Sequence, residues 1–279
     1  MKRIALFLIA GLMGTFASAQ ELPVPSPMCK ISQVVGLTNI DLEYSRPSMK
    51  GRKIFGELVA YDQIWRLGAN GSTKFTCDTE VNFGKETLKP GSYSVFAYPS
   101  EKGEWKFVFN TDLDLWGEGD YDEAKTVLTV MGKASECASV ETMSLTIENI
   151  TANSGTLRMA WETTQVDVDF TVDTDGNAEK NIAAAIEKGE ELDKVYYQAG
   201  RYYLNTKNDL EKAMKNLEMS LSIKETHNAT FYKARVLKEQ GNKKEAIKTA
   251  KRALELAKEA EASGWIPYME KTIAEWEKE

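Results

Sequence analysis

The sequence contains a single histidine, His227, and this scarcity excludes several kinds of site. A metal centre with two histidine ligands is impossible. A Ser-His-Asp or Cys-His arrangement would have to use His227, which lies beside Thr226 and Asn228, far in sequence from any recognisable nucleophile. We expect His227 to lie at the surface. No pair of carboxylates has a spacing that singles it out for acid–base chemistry.

Cysteine is also scarce, with Cys29, Cys77 and Cys137 as the three examples. None has C-x-x-C spacing, so no redox or zinc motif of that kind is present. In an oxidising compartment three cysteines allow at most one internal disulfide and leave one thiol over; the pairing stays open. Cys77 lies in an apolar strand pattern and is expected to be buried. We therefore expect no metal and no cofactor, and the lack of a catalytic constellation favours a non-enzymatic protein.

The sequence has one long apolar run, at its N-terminus, and that run is too short to span a bilayer. Two basic residues precede the run from Ile4 to Phe16, and the small residues Ala17 and Ala19 fit a cleavage site. These features predict a signal peptide over residues 1–19 and a mature protein without a membrane span. We expect a periplasmic or secreted location.

Excess positive charge is absent too, because the formal net charge is −7 at pH 7. An acidic chain is a poor candidate for binding nucleic acid, and we expect no such partner. A mature length of roughly 260 residues is compatible with one large or two small domains.

Hydropathy with a period of two extends to about Asp173 and predicts half-buried antiparallel strands. The predicted strands are residues 31–36, 40–44, 72–78, 92–98, 105–110, 127–131, 143–147, 157–161 and 166–170. The strand at 127–131 is apolar on both faces. Turn-forming residues separate the strands and no helical pattern intervenes. Residues 20–173 are therefore predicted to form an all-β domain, an antiparallel β-sandwich or a jelly-roll-like fold.

The period becomes helical after Asp173 and predicts an α-helical repeat domain over residues 178–279. The segment 208–217 resembles 241–250, and each copy follows another predicted helix, at 196–206 and 229–240. Helix–turn–helix repetition near thirty-four residues resembles tetratricopeptide repeats, which form concave peptide-binding surfaces.

Local residues mark two helix starts in this half of the chain. Asn242 with Glu245 predicts a capping box. Pro267 suits the first turn of a terminal helix at 266–276.

One irregular segment, residues 44–70, concentrates positive charge and aromatic rings in an acidic chain. The candidate ligand-binding residues are Tyr44, Arg46, Lys50, Arg52, Trp65, Arg66 and Asn70. Arginine suits carboxylate and phosphate, and aromatic rings suit sugars, so these residues predict a polar pocket. The alternative is structural: Arg46 and Arg66 pair with carboxylates, while Trp65 and Phe55 fill the end of the sandwich.

A second loop, residues 112–123 around Trp116, is strongly acidic. Two interpretations stay open for it. The loop is a solvated edge, or it is the internal counterpart of the basic segment 44–70, which would make both segments structural.

Several motifs in the first half resemble an exported bacterial family, the domain of unknown function 2911. The resemblance covers about residues 26–169. It is carried by Tyr44-Ser45-Arg46-Pro47 with Lys50–Gly56, by Trp65-Arg66-x-Gly68-Ala69-Asn70, and by Pro90-Gly91-x-Tyr93-Ser94. Family members commonly carry a glutamate after the asparagine, where this chain has Gly71. The resemblance implies a secreted all-β domain, sometimes followed by a helical repeat tail, and it implies no established activity.

The sequence thus predicts an exported, non-enzymatic binding or scaffolding protein, with the helical repeats as the surface for a protein or peptide partner. The alternative is a small-ligand or carbohydrate-binding protein, or an enzyme, that uses a polar pocket built on residues 44–70.

Overall fold

The computed structural model describes residues 22–279 and consists of two compact units, which divide between Val172 and Asp173. The predicted signal peptide, residues 1–19, lies outside the described residues. Within the described part of the chain, no helix is both long enough and apolar enough to cross a bilayer.

The first unit is a β-sheet unit, and its described residues form nine antiparallel strands. The strands are β1 (Met28–Val35), β2 (Thr38–Ser45), β3 (Ala69–Cys77), β4 (Val81–Phe83), β5 (Glu86–Leu88), β6 (Gly91–Tyr98), β7 (Glu104–Asn110), β8 (Thr126–Glu148) and β9 (Ser154–Val172). They lie in the order β1-β2-β3-β6-β7-β8-β9-β4-β5. The sheet encloses one hydrophobic core, to which all nine strands contribute, in the manner of a β-sandwich. The predicted antiparallel all-β fold is confirmed.

Two strands are much longer than the sequence predicts. β8 joins the predicted strands 127–131 and 143–147, and β9 joins 157–161 and 166–170. Between residues 133 and 142 most side chains of β8 are exposed or half-buried, so apolar alternation disappears although the backbone still pairs with β9. The short strands β4 and β5 have only three residues each, too few for alternation to predict them.

The strand at residues 127–131 is apolar on both faces, but only one of the two faces is buried. Leu128 and Val130 point into the core, whereas Val127 and Met131 are 53% and 55% exposed. The sequence pattern gives the polarity of each face, but the fold covers only one of the two here.

A smaller apolar cluster forms on the other face of β6 and β7. Phe96 and Val108 pack there with Leu115, and Tyr121 lies 5.0 Å from the ring of Phe96. The loop between β7 and β8 thereby folds over that face of the sheet. This loop is the acidic segment noted in the sequence.

The second unit is helical. Its helices are α1 (Thr174–Lys188), α2 (Leu192–Tyr202), α3 (Leu210–Ile223), α4 (His227–Glu239), α5 (Lys243–Glu259) and α6 (Ile266–Lys278). A π-helical turn, Tyr203–Lys207, extends α2. α2 packs against α3, and α4 packs against α5, as expected for helix–turn–helix repeats.

Close packing of α2 and α3 depends on Gly200. A Cβ atom there would lie 2.6 Å from Cγ of Leu217, nearer than real contacts allow. The corresponding residue of the second pair is Ala234, which is fully buried. The small residue at this position of each repeat therefore has a packing role.

Three smaller expectations need correction or completion. Asn242 is the residue before α5, but its side chain makes no capping hydrogen bond. His227 is half-buried rather than on the open surface, with its ring 5.7 Å from Trp265, and burial lowers its pKa. Cys29, Cys77 and Cys137 are all free thiols, and burial raises the pKa of Cys77 to about 11.

Candidate functional site

The second half of β8 has an edge that none of the nine strands in residues 22–279 covers. β7 pairs with residues 126–133 of β8 on one side, and β9 pairs with residues 133–148 on the other. Beyond residue 133 the backbone groups on the β7 side of β8 need other partners, because buried N–H and C=O groups are costly when unpaired.

Residues 44–50, which we call the edge strap, supply those partners. The hydroxyl of Tyr44 donates to the carbonyl of Leu145 at 3.1 Å and accepts from its N–H at 2.9 Å. Nε of Arg46 donates to the carbonyl of Met143 at 2.8 Å. The polar groups of both candidate residues are therefore directed at β8. Arg46 pairs with a backbone carbonyl here, not with the carboxylate proposed from sequence.

Backbone groups of the edge strap complete the coverage. The N–H of Met143 donates to the carbonyl of Pro47 at 2.9 Å. The N–H of Met49 donates to the carbonyl of Glu141 at 2.8 Å, and the N–H of Lys50 donates to the Glu141 carboxylate at 2.9 Å. Pro47 has no N–H of its own and contributes only its carbonyl. The strap thus replaces a missing strand.

Arg52 closes the turn that follows the edge strap. Its Nε donates to the carbonyl of Met49 at 2.9 Å, and one terminal nitrogen donates to the carbonyl of Ser48 at 2.7 Å. Lys50 and Gly51 both have positive φ in this turn, at 50° and 72°. Much of the hydrogen-bonding capacity of Arg52 is used locally.

Trp65 belongs to a buried aromatic cluster with Phe55, Trp105 and Trp161. The centroid of Phe55 lies 4.9 Å from that of Trp105, and Trp65 stacks on Trp161 at 6.0 Å. Trp65 is only 6% exposed, and its Nε1 donates to the carbonyl of Gly68 at 3.2 Å. This arrangement agrees with the structural alternative, in which Trp65 and Phe55 fill the end of the sandwich.

Four candidate residues nevertheless border a common cavity of about 500 Å³. We call it the basic cavity; its lining includes Lys50, Arg52, Trp65, Arg66 and Glu118. Three cationic side chains and one carboxylate face it, so its wall carries a net positive charge.

Arg66 connects the basic segment to the acidic loop. The backbone N–H of Arg66 donates to Oε1 of Glu118 at 3.1 Å. The side-chain Nε of Arg66 lies 3.5 Å from the same oxygen, and this nitrogen is buried and makes no hydrogen bond. Gly117 makes room for the guanidinium, because a Cβ there would lie 2.9 Å from the Arg66 side chain. For Glu118, the interpretation of the acidic loop as an internal counterpart therefore holds.

Two other acidic residues of the loop have partners outside the basic segment. Asp112 contacts Lys125 at 2.6 Å, and the hydrogen bond from Lys125 lowers the pKa of Asp112. The side chain of Asp122 instead caps the short 3-10 turn Glu123–Lys125.

Asn70 lies at a different cavity, of about 470 Å³, which Tyr44 and Trp116 also border. We call it the Trp116 cavity. Asn70 has a φ of 61°, and its amide nitrogen donates to the carbonyl of Ser26 and to the hydroxyl of Ser45, both at 3.2 Å. The seven candidates are thus divided between the strap and two cavities, and Arg46 borders neither of these cavities.

The helical unit carries a cluster of arginines and tyrosines that was not predicted from the sequence. The guanidinium of Arg201 lies 5.5 Å from the ring of Tyr197 on α2 and 5.2 Å from that of Tyr232 on α4, and Arg235 lies 4.8 Å from Tyr232. The spacings of Tyr197 with Arg201 and of Tyr232 with Arg235 place each pair on one helix face. The sequence could have revealed each pair, but not that α2 and α4 bring them together.

Comparison with known families gives two matches. Residues 26–170, more than half of the chain, match the family described as "Protein of unknown function (DUF2911)". The chain belongs to this family. Tetratricopeptide repeats match residues 193–227 and 232–259, which contain most of α2 with α3 and most of α4 with α5. Both resemblances predicted from sequence are confirmed.

Tetratricopeptide repeats generally mediate protein–protein interaction.

Searches of curated proteins and of solved structures each returned no match. Among residues 22–279, no group of three or more His, Cys, Asp or Glu side chains is placed to hold a metal ion.

Proposed function

We propose that the protein is an exported, non-enzymatic scaffold whose helical repeats bind an acidic segment of a partner protein. The observation that carries the proposal is the pair Arg201 and Arg235, which lie against tyrosine rings and, within residues 22–279, form no ion pair with a carboxylate. Export is supported by the features of residues 1–19. N-terminal sequencing of the purified mature protein checks this part, with Gln20 as the expected first residue.

The environment of the two arginines favours an anionic partner. Elsewhere in the helical unit, Arg252 is held by Glu225 at 2.7 Å and by Glu255 at 3.3 Å. Arg201 and Arg235 are held by aromatic faces instead, which position a guanidinium without neutralising it. A carboxylate of a partner can therefore accept charge-assisted hydrogen bonds from them.

Substitution of both arginines is expected to reduce capture of the partner at least about tenfold. Mature protein carrying Arg201→Gln and Arg235→Gln should recover acidic partner proteins from the exported fraction of the source cells at about one-tenth of the wild-type level or less, because two charge-assisted hydrogen bonds are lost. Quantitative mass spectrometry of the bound fraction measures the change.

The matched control is Arg252→Gln, which removes an arginine already paired with carboxylates and should leave recovery unchanged. Equal recovery by all three proteins, or no enrichment over uncoated beads, would contradict the proposal. Circular dichroism confirms that each variant is folded.

A second candidate function is binding of a small anionic ligand in the basic cavity. The observation in its favour is the convergence of Lys50, Arg52 and Arg66 on one cavity beside the stacked pair Trp65 and Trp161. Arginine and lysine on a concave wall suit a carboxylate or phosphate.

Gly117→Ala tests this second function, because the new Cβ would displace the Arg66 guanidinium. Titration calorimetry with an oligogalacturonate, as a polyanionic probe, should show at least about tenfold weaker binding for Gly117→Ala than for wild type. Gly103→Ala is the control, because Gly103 has nearly the same φ as Gly117, 89° against 90°, and a Cβ there meets nothing within 4 Å. Identical binding by the two variants would exclude Arg66 as a ligand contact.

A further inference from the structure

Trp116 is unusual among the six tryptophans of the chain. It is 74% exposed, whereas the other five are buried or half-buried. Met28 and Val24, which line the same cavity, are also exposed, so Trp116 belongs to an apolar patch rather than standing alone. Contiguous exposed apolar surface beside a cavity is typical of a binding site.

The backbone beneath Trp116 is held firmly. Trp116 forms a β-bridge with Gly71, and the N–H of Ser72 donates to the carbonyl of Leu115 at 3.0 Å. Leu115 is buried against Phe96 in the apolar cluster on the other face of β6 and β7. The indole is therefore presented by an anchored segment, which lowers the entropic cost of binding a ligand.

The polar groups of the Trp116 cavity do not favour an ionic ligand. Its charged lining residues are Glu43, Lys74 and Asp114, and Glu43 is itself paired with Lys30 at 2.6 Å. Neither sign of charge dominates, in contrast to the basic cavity. The remaining polar lining consists of hydroxyl and amide groups. The Asn70 amide nitrogen already donates to Ser26 and Ser45, which leaves the amide oxygen as the acceptor that Asn70 can offer a ligand.

We propose that the Trp116 cavity binds a neutral carbohydrate. The indole face packs against the apolar C–H face of a pyranose ring, and the Asn70 amide oxygen and the Asp114 carboxylate accept hydrogen bonds from its hydroxyls. A flat apolar ring beside several acceptors and donors, without net charge, matches a sugar, which has an apolar face and a polar rim. The site lies within the β-sheet unit and shares the lining residue Ser26 with the basic cavity.

The test uses the mature full-length protein and four neutral probes: hexaoses of glucose, xylose, mannose and N-acetylglucosamine. Titration calorimetry measures affinity for wild type, Trp116→Ala, Trp116→Tyr and Asp114→Ala. We expect at least one probe to bind, Trp116→Ala to weaken that binding about tenfold or more, and Trp116→Tyr to retain most of it because a ring is kept. Asp114→Ala should weaken binding several-fold.

Tyr268→Ala is the control, since Tyr268 is a half-exposed aromatic residue of the helical unit, and its affinity should equal that of wild type. Binding of a probe should also change tryptophan fluorescence in wild type and not in Trp116→Ala. The proposal fails if none of the four hexaoses binds, if Trp116→Ala binds as tightly as wild type, or if only the anionic oligogalacturonate binds.

Discussion

Replacement of Trp65 by alanine is expected to lower the free energy of unfolding of the β-sheet unit by about 3–5 kcal/mol, the usual cost of removing a large buried aromatic side chain. Trp65 is in edge-to-face or stacked contact with Phe55, Trp105 and Trp161. Its removal leaves a cavity that three rigid rings cannot fill. The substitution also removes the hydrogen bond from Nε1 to the carbonyl of Gly68.

Urea denaturation followed by near-ultraviolet circular dichroism measures this loss, because packed aromatic rings give that signal. The matched control is Trp116→Ala, which deletes the same side chain from an exposed position and should change the free energy of unfolding by no more than about 0.5 kcal/mol. Similar losses for the two variants would show that Trp65 does not form part of the core.

Tyr44→Phe is expected to lower the free energy of unfolding by about 2–4 kcal/mol, because it leaves two buried backbone groups of Leu145 without a partner. The shape of the side chain is kept, so the loss reports the hydroxyl alone. Urea midpoints of wild type and variant give the difference. The control Tyr268→Phe, at a half-exposed position, should have the wild-type midpoint. An unchanged midpoint for Tyr44→Phe would show that the edge of β8 does not need this hydroxyl.

The same tyrosine predicts a pH dependence. Burial raises the pKa of Tyr44 above its ordinary value, with Cys29 adding to the effect. Because the folded state holds the proton more tightly than the unfolded state, the stabilisation is complete below about pH 10 and is lost as pH rises through the folded pKa. Between pH 9 and 11 the urea midpoint of wild type should therefore fall more than that of Tyr44→Phe. Parallel decreases in the two proteins would contradict this account.

Most of the architecture follows from patterns that are local in sequence. Alternation at Ile40, Leu42 and Tyr44 predicted a strand with the correct buried face, and Pro267 marked the first turn of α6. The repeat of segment 208–217 at 241–250 predicted the paired helices. These features could be predicted from the sequence because the period of apolar residues depends on backbone geometry within a few residues.

The candidate site was harder to predict, because its contacts join residues that are distant in sequence. The basic and aromatic residues of segment 44–70 predicted a ligand-binding site. Tyr44 and Arg46 instead form hydrogen bonds with residues about a hundred positions later in the chain. No local pattern shows that the second half of β8 lacks a neighbouring strand. Nor does any local pattern show that Leu115 is buried and Trp116 is left in water.

The sequence by itself determined the two kinds of unit, most of their elements and their families, because each rests on periodicity or on ordered motifs. Only the tertiary structure decided which polar groups are used to hold the fold and which line a cavity. That decision depends on where strand edges remain uncovered and on which distant side chains meet them. It assigns Tyr44 and Arg46 to the edge of β8, places Arg66 at the basic cavity, and presents Trp116 to solvent.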